Sequence, residues 1–275
     1  MDIVYCCPYW GSEDKPAGIF LDRVLKEGYE GVEINLPDSG EFTTVFMKKI
    51  ENIRISEKKD FRFIAQQVLP LQKETPDAYL KKMEQRLLYL ASLEPDFINA
   101  HTGKDYYSFD ENCFIIEAAE NIAEKTGIPI YHELHRGRFT FHSQTTLSYL
   151  NPFPEIKFTG DFSHWCTVSE SLLQDQWEIV EIIIPHIYHI HARIGSEQAS
   201  QVNNPFAPEW AQHVMVFMSW WHKIIKAHKP SKSVFTITPE FGPAPYMPAA
   251  PFTKEPLAEQ WETNCKIKNL LKLNL

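Results

Sequence analysis

The sequence has little that would tie it to an oxidising compartment, a membrane or a nucleic acid. Only five cysteines occur in 275 residues: Cys6, Cys7, Cys113, Cys166 and Cys265. Their number is odd and no C-x-x-C pair occurs, so they read as free thiols of a reducing compartment. No apolar run approaches the roughly 18 residues of a membrane helix. The N-terminus, Met1-Asp2-Ile3-Val4-Tyr5, has no basic segment ahead of an apolar one. No signal peptide is therefore expected, and the cytoplasm is the expected address. Basic residues do not prevail: the net charge is −9. That argues against a nucleic-acid partner, which would need a basic track, and leaves room for a local basic pocket. No stretch rich in Gly, Ser and Pro divides the chain, and no internal repeat or low-complexity tract is present. One domain spanning residues 1–275 is expected, because α/β barrels of about 250 residues fold as one unit.

What is present is an alternation. Eight short apolar runs, each followed by a helix-like stretch, cover Ile3–Cys7, Gly31–Asn35, Arg62–Gln67, Phe97–His101, Ile128–Glu133, Ile156–Asp161, Ile187–Arg193 and Val234–Glu240. Strands alternating with helices imply βαβ units and a parallel sheet. Eight units predict a closed (β/α)₈ TIM barrel of the α/β class. An open doubly wound sheet is disfavoured, since no G-x-G-x-x-G turn follows the first strand. Helices are legible at Phe20–Glu27 with Gly28 as C-cap, from Thr75-Pro76-Asp77 to Leu93, and at Glu111–Lys125, Glu209–His228 and Leu257–Leu271. The proline-rich stretch Pro239–Pro256 reads as a structured loop over the barrel mouth. Lys48-Lys49 and Lys58-Lys59 read as solvated surface.

Strands of a parallel barrel should be apolar along most of their length, both beneath the helices and inside the barrel. Charged groups at their C-terminal ends, where active sites of this fold lie, are costly unless paired or bound to a metal. The seventh strand sets His189, His191 and Arg193 on one face against Ile190, Ala192 and Ile194. The eighth sets Thr236, Thr238 and Glu240 against Phe235 and Ile237. The sixth ends Thr159-Gly160-Asp161, with His164 three residues on. The fourth carries Asn99 and His101, and the second Glu33 and Asn35. On the fifth, Glu133 shares a face with Tyr131 and leaves His132 on the helix side. Acidic or imidazole groups thus end four neighbouring strands, five to eight. Two Glu, one Asp and one His form an oxygen/nitrogen set suited to Mn²⁺, Mg²⁺, Co²⁺ or Zn²⁺.

These segments resemble the xylose isomerase-like TIM-barrel superfamily, which includes ketose 3-epimerases, inosose dehydratases and the zinc AP endonucleases (AP endonuclease family 2). The resemblance runs through Glu30-Gly-Val-Glu33, Glu133, Asp161-Phe-Ser-His164, His189-Ile-His191 and Pro239-Glu240-Phe-Gly. It implies a metal held by Glu133, Asp161, His191 and Glu240. It also implies that His164 touches substrate or a second metal. Glu133 and Glu240, on strands five and eight, can face a substrate from opposite sides and are the expected catalytic acid/base pair. His101, Arg193 and Trp10 are further substrate-binding candidates from their places at strand ends. Arg193 has a second reading, as an internal partner for Asp161, and His189 reads as a satisfied interior histidine. Trp210, Trp220 and Trp221 read as core or subunit contact, and a homo-oligomer is compatible with them. The loop after strand seven, Gly195–Phe206, lacks the Asp-x-His of the endonucleases, and Glu133-Leu-His-Arg-Gly-Arg departs from the Glu-x-x-Asn-Arg of many epimerases.

The expected function is a divalent-metal-dependent sugar isomerase or epimerase, acting on a small sugar or polyol by proton transfer beside a chelated carbonyl/hydroxyl pair. The alternatives are a metal-dependent lyase or hydrolase on the same barrel and a non-catalytic sugar-binding barrel.

Overall fold

A computed structural model describes residues 1–56, 60–70, 72–231 and 233–275; Lys58 and Lys59 lie outside the described residues. Its strands are β1 (Asp2–Pro8), β2 (Gly31–Ile34), β3 (Arg62–Gln67), β4 (Phe97–Ala100), β5 (Ile130–Glu133), β6 (Phe158–Gly160), β7 (Ile187–His191) and β8 (Val234–Thr238). They hydrogen-bond in chain order into a closed parallel barrel. Each predicted apolar run coincides with one strand, so the (β/α)₈ expectation holds. The helices are α1 (Ala17–Lys26), α2 (Gly40–Ser56), α3 (Pro76–Ala91), α4 (Phe109–Thr126), α5 (Ser143–Tyr149), α6 (Phe162–Ser169), α7 (Trp177–Ile183), α8 (Ala211–His228) and α9 (Gln260–Asn274). No described helix is long and apolar enough to cross a membrane.

Helix starts follow local chemistry. Thr75 accepts from the Ala78 N–H ahead of Pro76. Ser108 and Glu111 form a reciprocal capping box at α4, and Gly127 closes that helix at φ 72°, satisfying end groups that would otherwise be orphaned. Contacts divide the chain into two compact units. One comprises Cys6–Glu133 and Gly137–Phe139; the other comprises Met1–Tyr5, Leu134–Arg136 and Thr140–Leu275. In the first unit, Val32, Phe63, Ile64, Met83, Leu87 and Ile116 are buried, and Phe46 meets Phe63 edge-on at 5.4 Å. In the second, Phe158, Ile190, Ile237 and Leu271 are buried, and Trp220 packs edge-on between Phe162 at 5.1 Å and Phe217 at 4.8 Å. Trp220 and Trp221 are core residues, whereas the half-buried Trp210 bonds Asn203 Oδ1 at 2.8 Å.

The predicted alternation along the strands is kept. His132 is buried on the helix side, where Nδ1 meets the Thr102 hydroxyl at 2.7 Å and Nε2 meets Glu120 of α4 at 3.1 Å. Phe97 and Tyr131, on the opposite face, stack at 4.3 Å. His189 is a satisfied interior histidine. Its Nδ1 lies 2.7 Å from Thr236 Oγ1 and its Nε2 lies 3.2 Å from Thr238 Oγ1. Cys6 and Cys7 are buried; burial, with Glu33 adding to it, pushes the Cys6 thiol well up and away from reactivity.

Candidate metal centre

In the larger-numbered unit, Asp161 ends β6 and caps α6. Its Oδ1 accepts from the Ser163 N–H at 3.0 Å and the Ser163 hydroxyl at 2.5 Å. Its Oδ2 pairs with the Arg193 guanidinium and lies 3.6 Å from His164 Nε2. Arg193, 1% exposed, also approaches Glu240 Oε2 at 3.5 Å and His164 Nε2 at 3.0 Å. Glu240 Oε2 in turn lies 2.9 Å from His191 Nδ1. Asp161, His191 and Glu240 each offer one ligand atom, and those atoms lie within 4.8 Å of one another. Burial pushes the Asp161 carboxyl up; Arg193 pulls it down, Glu240 raises it, and His191 and Ser163 pull down in turn.

Close packing fixes this arrangement. A Cβ on Gly160 would come within 2.7 Å of Ile187 Cγ2, so the glycine lets β6 lie against β7. Behind β8, the Gln201 amide holds both the Gly242 N–H (2.7 Å) and its carbonyl (3.1 Å). The Asn264 side chain does the same for Phe241, at 2.7 and 2.9 Å. Glu240 therefore projects from a stretch clamped on its C-terminal side. The following loop delivers Tyr246, whose ring lies 4.9 Å from the Arg193 guanidinium and 5.2 Å from that of Arg136. His135 and His164 face each other with ring centroids 3.8 Å apart, and the Tyr246 hydroxyl lies 3.5 Å from His135 Nε2.

In the other unit, Glu133 ends β5 and is 2% exposed. Its Oε2 accepts from Asn99 Nδ2 at 2.8 Å and meets His101 Nε2 at 2.9 Å. Arg138 donates to His101 Nδ1 at 3.3 Å, which leaves the His101 proton on Nε2, aimed at Glu133. Glu33 is fully buried on β2 and accepts from Gln66 at 3.1 Å and Asn99 at 3.0 Å. Trp10 is half-buried at the turn after β1.

The structure thus gathers Asp161, His164, His191, Arg193 and Glu240 in one unit and Glu133 with His101 in the other. Of the two readings of Arg193, the contacts show the internal partner of Asp161; the guanidinium also faces the Tyr246 ring. Sequence reasoning missed Ser163, His135, Tyr246 and Arg138. Tyr246 carried a usable signal, as an aromatic on the loop expected over the mouth.

The donors suit a cation. They are carboxylates and an imidazole, without thiolate, and the buried pair Asp161 and Glu240 outweighs the single guanidinium between them. The 2.9 Å spacing of His191 Nδ1 and Glu240 Oε2 matches adjacent ligands of an octahedral ion whose bonds are about 2.1 Å.

No family model matches the chain, and no curated protein does. Solved structures do. A D-allulose 3-epimerase from Methylomonas sp. in complex with D-allulose is 14% identical over 100% of this chain and 98% of its own, with a TM-score of 0.65. The IolI protein with a bound zinc atom is 13% identical over 100% and 99%, at 0.66. A xylose isomerase-like TIM-barrel protein from Mycobacterium smegmatis in complex with magnesium is 11% identical over 99% and 97%, at 0.59. At these identities the likeness is one of fold, and the fold is the closed eight-stranded parallel (β/α)₈ TIM barrel.

Proposed function

We propose that this chain is a divalent-metal-dependent sugar isomerase or epimerase in which Glu133, Asp161, His191 and Glu240 ligate one ion. The observation that carries this reading is the trio Asp161, His191 and Glu240, three buried donors at the ends of successive strands. Glu133 is included on the family resemblance, which implies it as the fourth ligand. Charge supports it as well. Three carboxylates and Arg193 sum to a formal −2, which a dication neutralises. The neighbours' zinc, magnesium and D-allulose favour the same chemistry.

When bound, the ion supplies Lewis-acid polarisation of a carbonyl and its neighbouring hydroxyl. Glu133 and Glu240 then exchange the proton of the adjacent carbon: one removes it and the other returns it, which inverts that carbon. Asn99 and His101 aim the Glu133 carboxylate, while His191 and Arg193 aim that of Glu240. His164 and Arg193 offer polar contacts to sugar hydroxyls, and Tyr246 offers an apolar face. His101 and Trp10 complete the proposed substrate contacts.

The test joins metal analysis of the purified chain to deuterium wash-in at the carbon next to the carbonyl, followed by NMR across a ketose panel. Stoichiometric metal, and wash-in at least ~10³-fold slower in Glu240→Gln, are expected. Absence of any divalent ion at micromolar concentration, or unchanged turnover in the variant, ends the proposal.

A further inference from the structure

Two buried cations in the smaller-numbered unit make no ion pair with any carboxylate among the described residues. Lys104 is 2% exposed and Arg138 is 5% exposed. Arg138 donates only to neutral acceptors, the Gly137 carbonyl at 3.3 Å and His101 Nδ1 at 3.3 Å, and its buried Nε has no partner. The Lys104 ammonium stands 5.1 Å from the centre of the Tyr79 ring, and among the described residues no group accepts a hydrogen bond from it. The two charges feel each other: after burial, Arg138 is the next cause of a lowered Lys104 pKa, with Glu74 and Asp105 pulling the other way. Glu74 pairs through Oε2 with Lys82 at 2.7 Å, while its Oε1 is buried without a hydrogen-bond partner.

The backbone that presents these groups is built, not loose. Gly103 has φ 62°, and a Cβ there would come within 2.2 Å of Asn112 Oδ1. The buried Asn112 side chain accepts from the Lys104 N–H at 3.2 Å and donates to the carbonyls of Lys104 at 2.9 Å and Tyr107 at 3.3 Å. The Phe139 N–H reaches the Thr102 carbonyl at 3.4 Å, which ties the Arg138 segment to the same loop. Two desolvated like charges on a rigid frame are unfavourable unless something compensates them. Among the described residues Glu74 and Asp105 act on Lys104 without forming an ion pair with it, and Arg138 meets neutral acceptors.

We propose that Lys104 and Arg138 form an oxyanion subsite beside His101, and that it takes a carboxylate or phosphate group carried by the substrate. The substrate half of this rests on the isomerase reading above; the subsite does not. Occupancy would also reach Glu133, because the same guanidinium sets the His101 proton that Glu133 receives.

The first experiment uses the full chain stripped of metal by EDTA, with inorganic phosphate as probe, followed by calorimetry and ³¹P NMR. Phosphate is expected to bind the wild type, and Lys104→Met and Arg138→Met are each expected to weaken it at least ~10-fold. Arg138→Lys retains the charge without the fork, and intermediate binding is expected from it. Lys104→Met should also melt no lower than wild type in phosphate-free buffer. Wild type that ignores phosphate, or Lys104→Met that binds it as wild type does, overturns the subsite; the wild-type arm decides even where a variant does not fold. The second experiment compares kcat/KM for free ketoses and for their phosphates or sugar acids on metal-loaded enzyme. A preference of ~10-fold or more for the anionic sugars, lost in Lys104→Met, is expected. Phosphate binding without that preference overturns the substrate half. Absence of turnover on every sugar, with phosphate binding intact, sinks the isomerase reading and leaves the subsite standing.

Discussion

Arg193 occupies the place in which a cation would serve Asp161 and Glu240, with its guanidinium paired to the first and 3.5 Å from the second. A positive group at that spot lowers the affinity of the trio for a metal ion and offsets carboxylate repulsion while no ion is held. Arg193→Met is therefore expected to bind Mn²⁺ or Zn²⁺ at least ~10-fold more tightly in calorimetry, and to melt lower once metal is chelated. Weaker metal binding in the variant would instead make Arg193 a strut for the ligands. Lys104 gives a pH prediction of definite sign. Burial and Arg138 lower its pKa, so below the ordinary lysine value the unfolded chain binds more protons than the native one at this site. Stability from this group rises as pH climbs from the lowered value toward about 10.4. Plotted against pH, the melting temperature of wild type minus that of Lys104→Met should climb through that window; a flat difference refutes the assignment.

At the scale of elements, Gly160 lets β6 lie against β7. Gly160→Ala drives a methyl to within 2.7 Å of Ile187 Cγ2, an overpacking expected to cost about 1–3 kcal/mol in urea denaturation. Because residue 160 precedes Asp161, the variant should also lose metal affinity; unchanged stability and affinity would show that the strands can part cheaply. The strands were legible as short apolar runs in which polar groups alternate with apolar neighbours, as His191 stands between Ile190 and Ala192. The long helices were legible from their caps, Thr75 and Gly127 among them. α5, α6 and α7 were not individually legible: each is too short, at seven or eight residues, to display a helical period. The stretch that forms α2 carries Phe42, Thr43, Thr44, Val45 and Phe46 in its first two turns, residues that favour strands on their own. The trio Asp161, His191 and Glu240 was readable from strand-end alternation together with the family resemblance. Lys104 and Arg138 were not, since a buried cation in a loop looks like a solvated one until the side chains packed on it are known.

Across the whole molecule, net charge is −9, and part of that excess is held inside at the ends of consecutive strands. Glu240 raises the Asp161 pKa, so the two carboxylates oppose each other while no ion lies between them. A metal that binds only the folded chain should convert this repulsion into stability. At a free ion concentration of 100 times Kd the gain is about 2.7 kcal/mol, and at roughly 2–4 °C per kcal/mol for a chain of this size the melting temperature should rise by about 5–10 °C. Glu240→Gln separates this from a general salt effect, because its two consequences have opposite signs. In EDTA the variant loses one of two repelling carboxylates and should melt as high as wild type or higher. With metal it loses a ligand and should show little or no rise. Scanning calorimetry on both proteins, with and without Mn²⁺ and Zn²⁺, reads all four values. A wild-type melting temperature that is indifferent to EDTA and to both ions would mean that the buried carboxylates are balanced by the protein's own cations, Arg193 first among them.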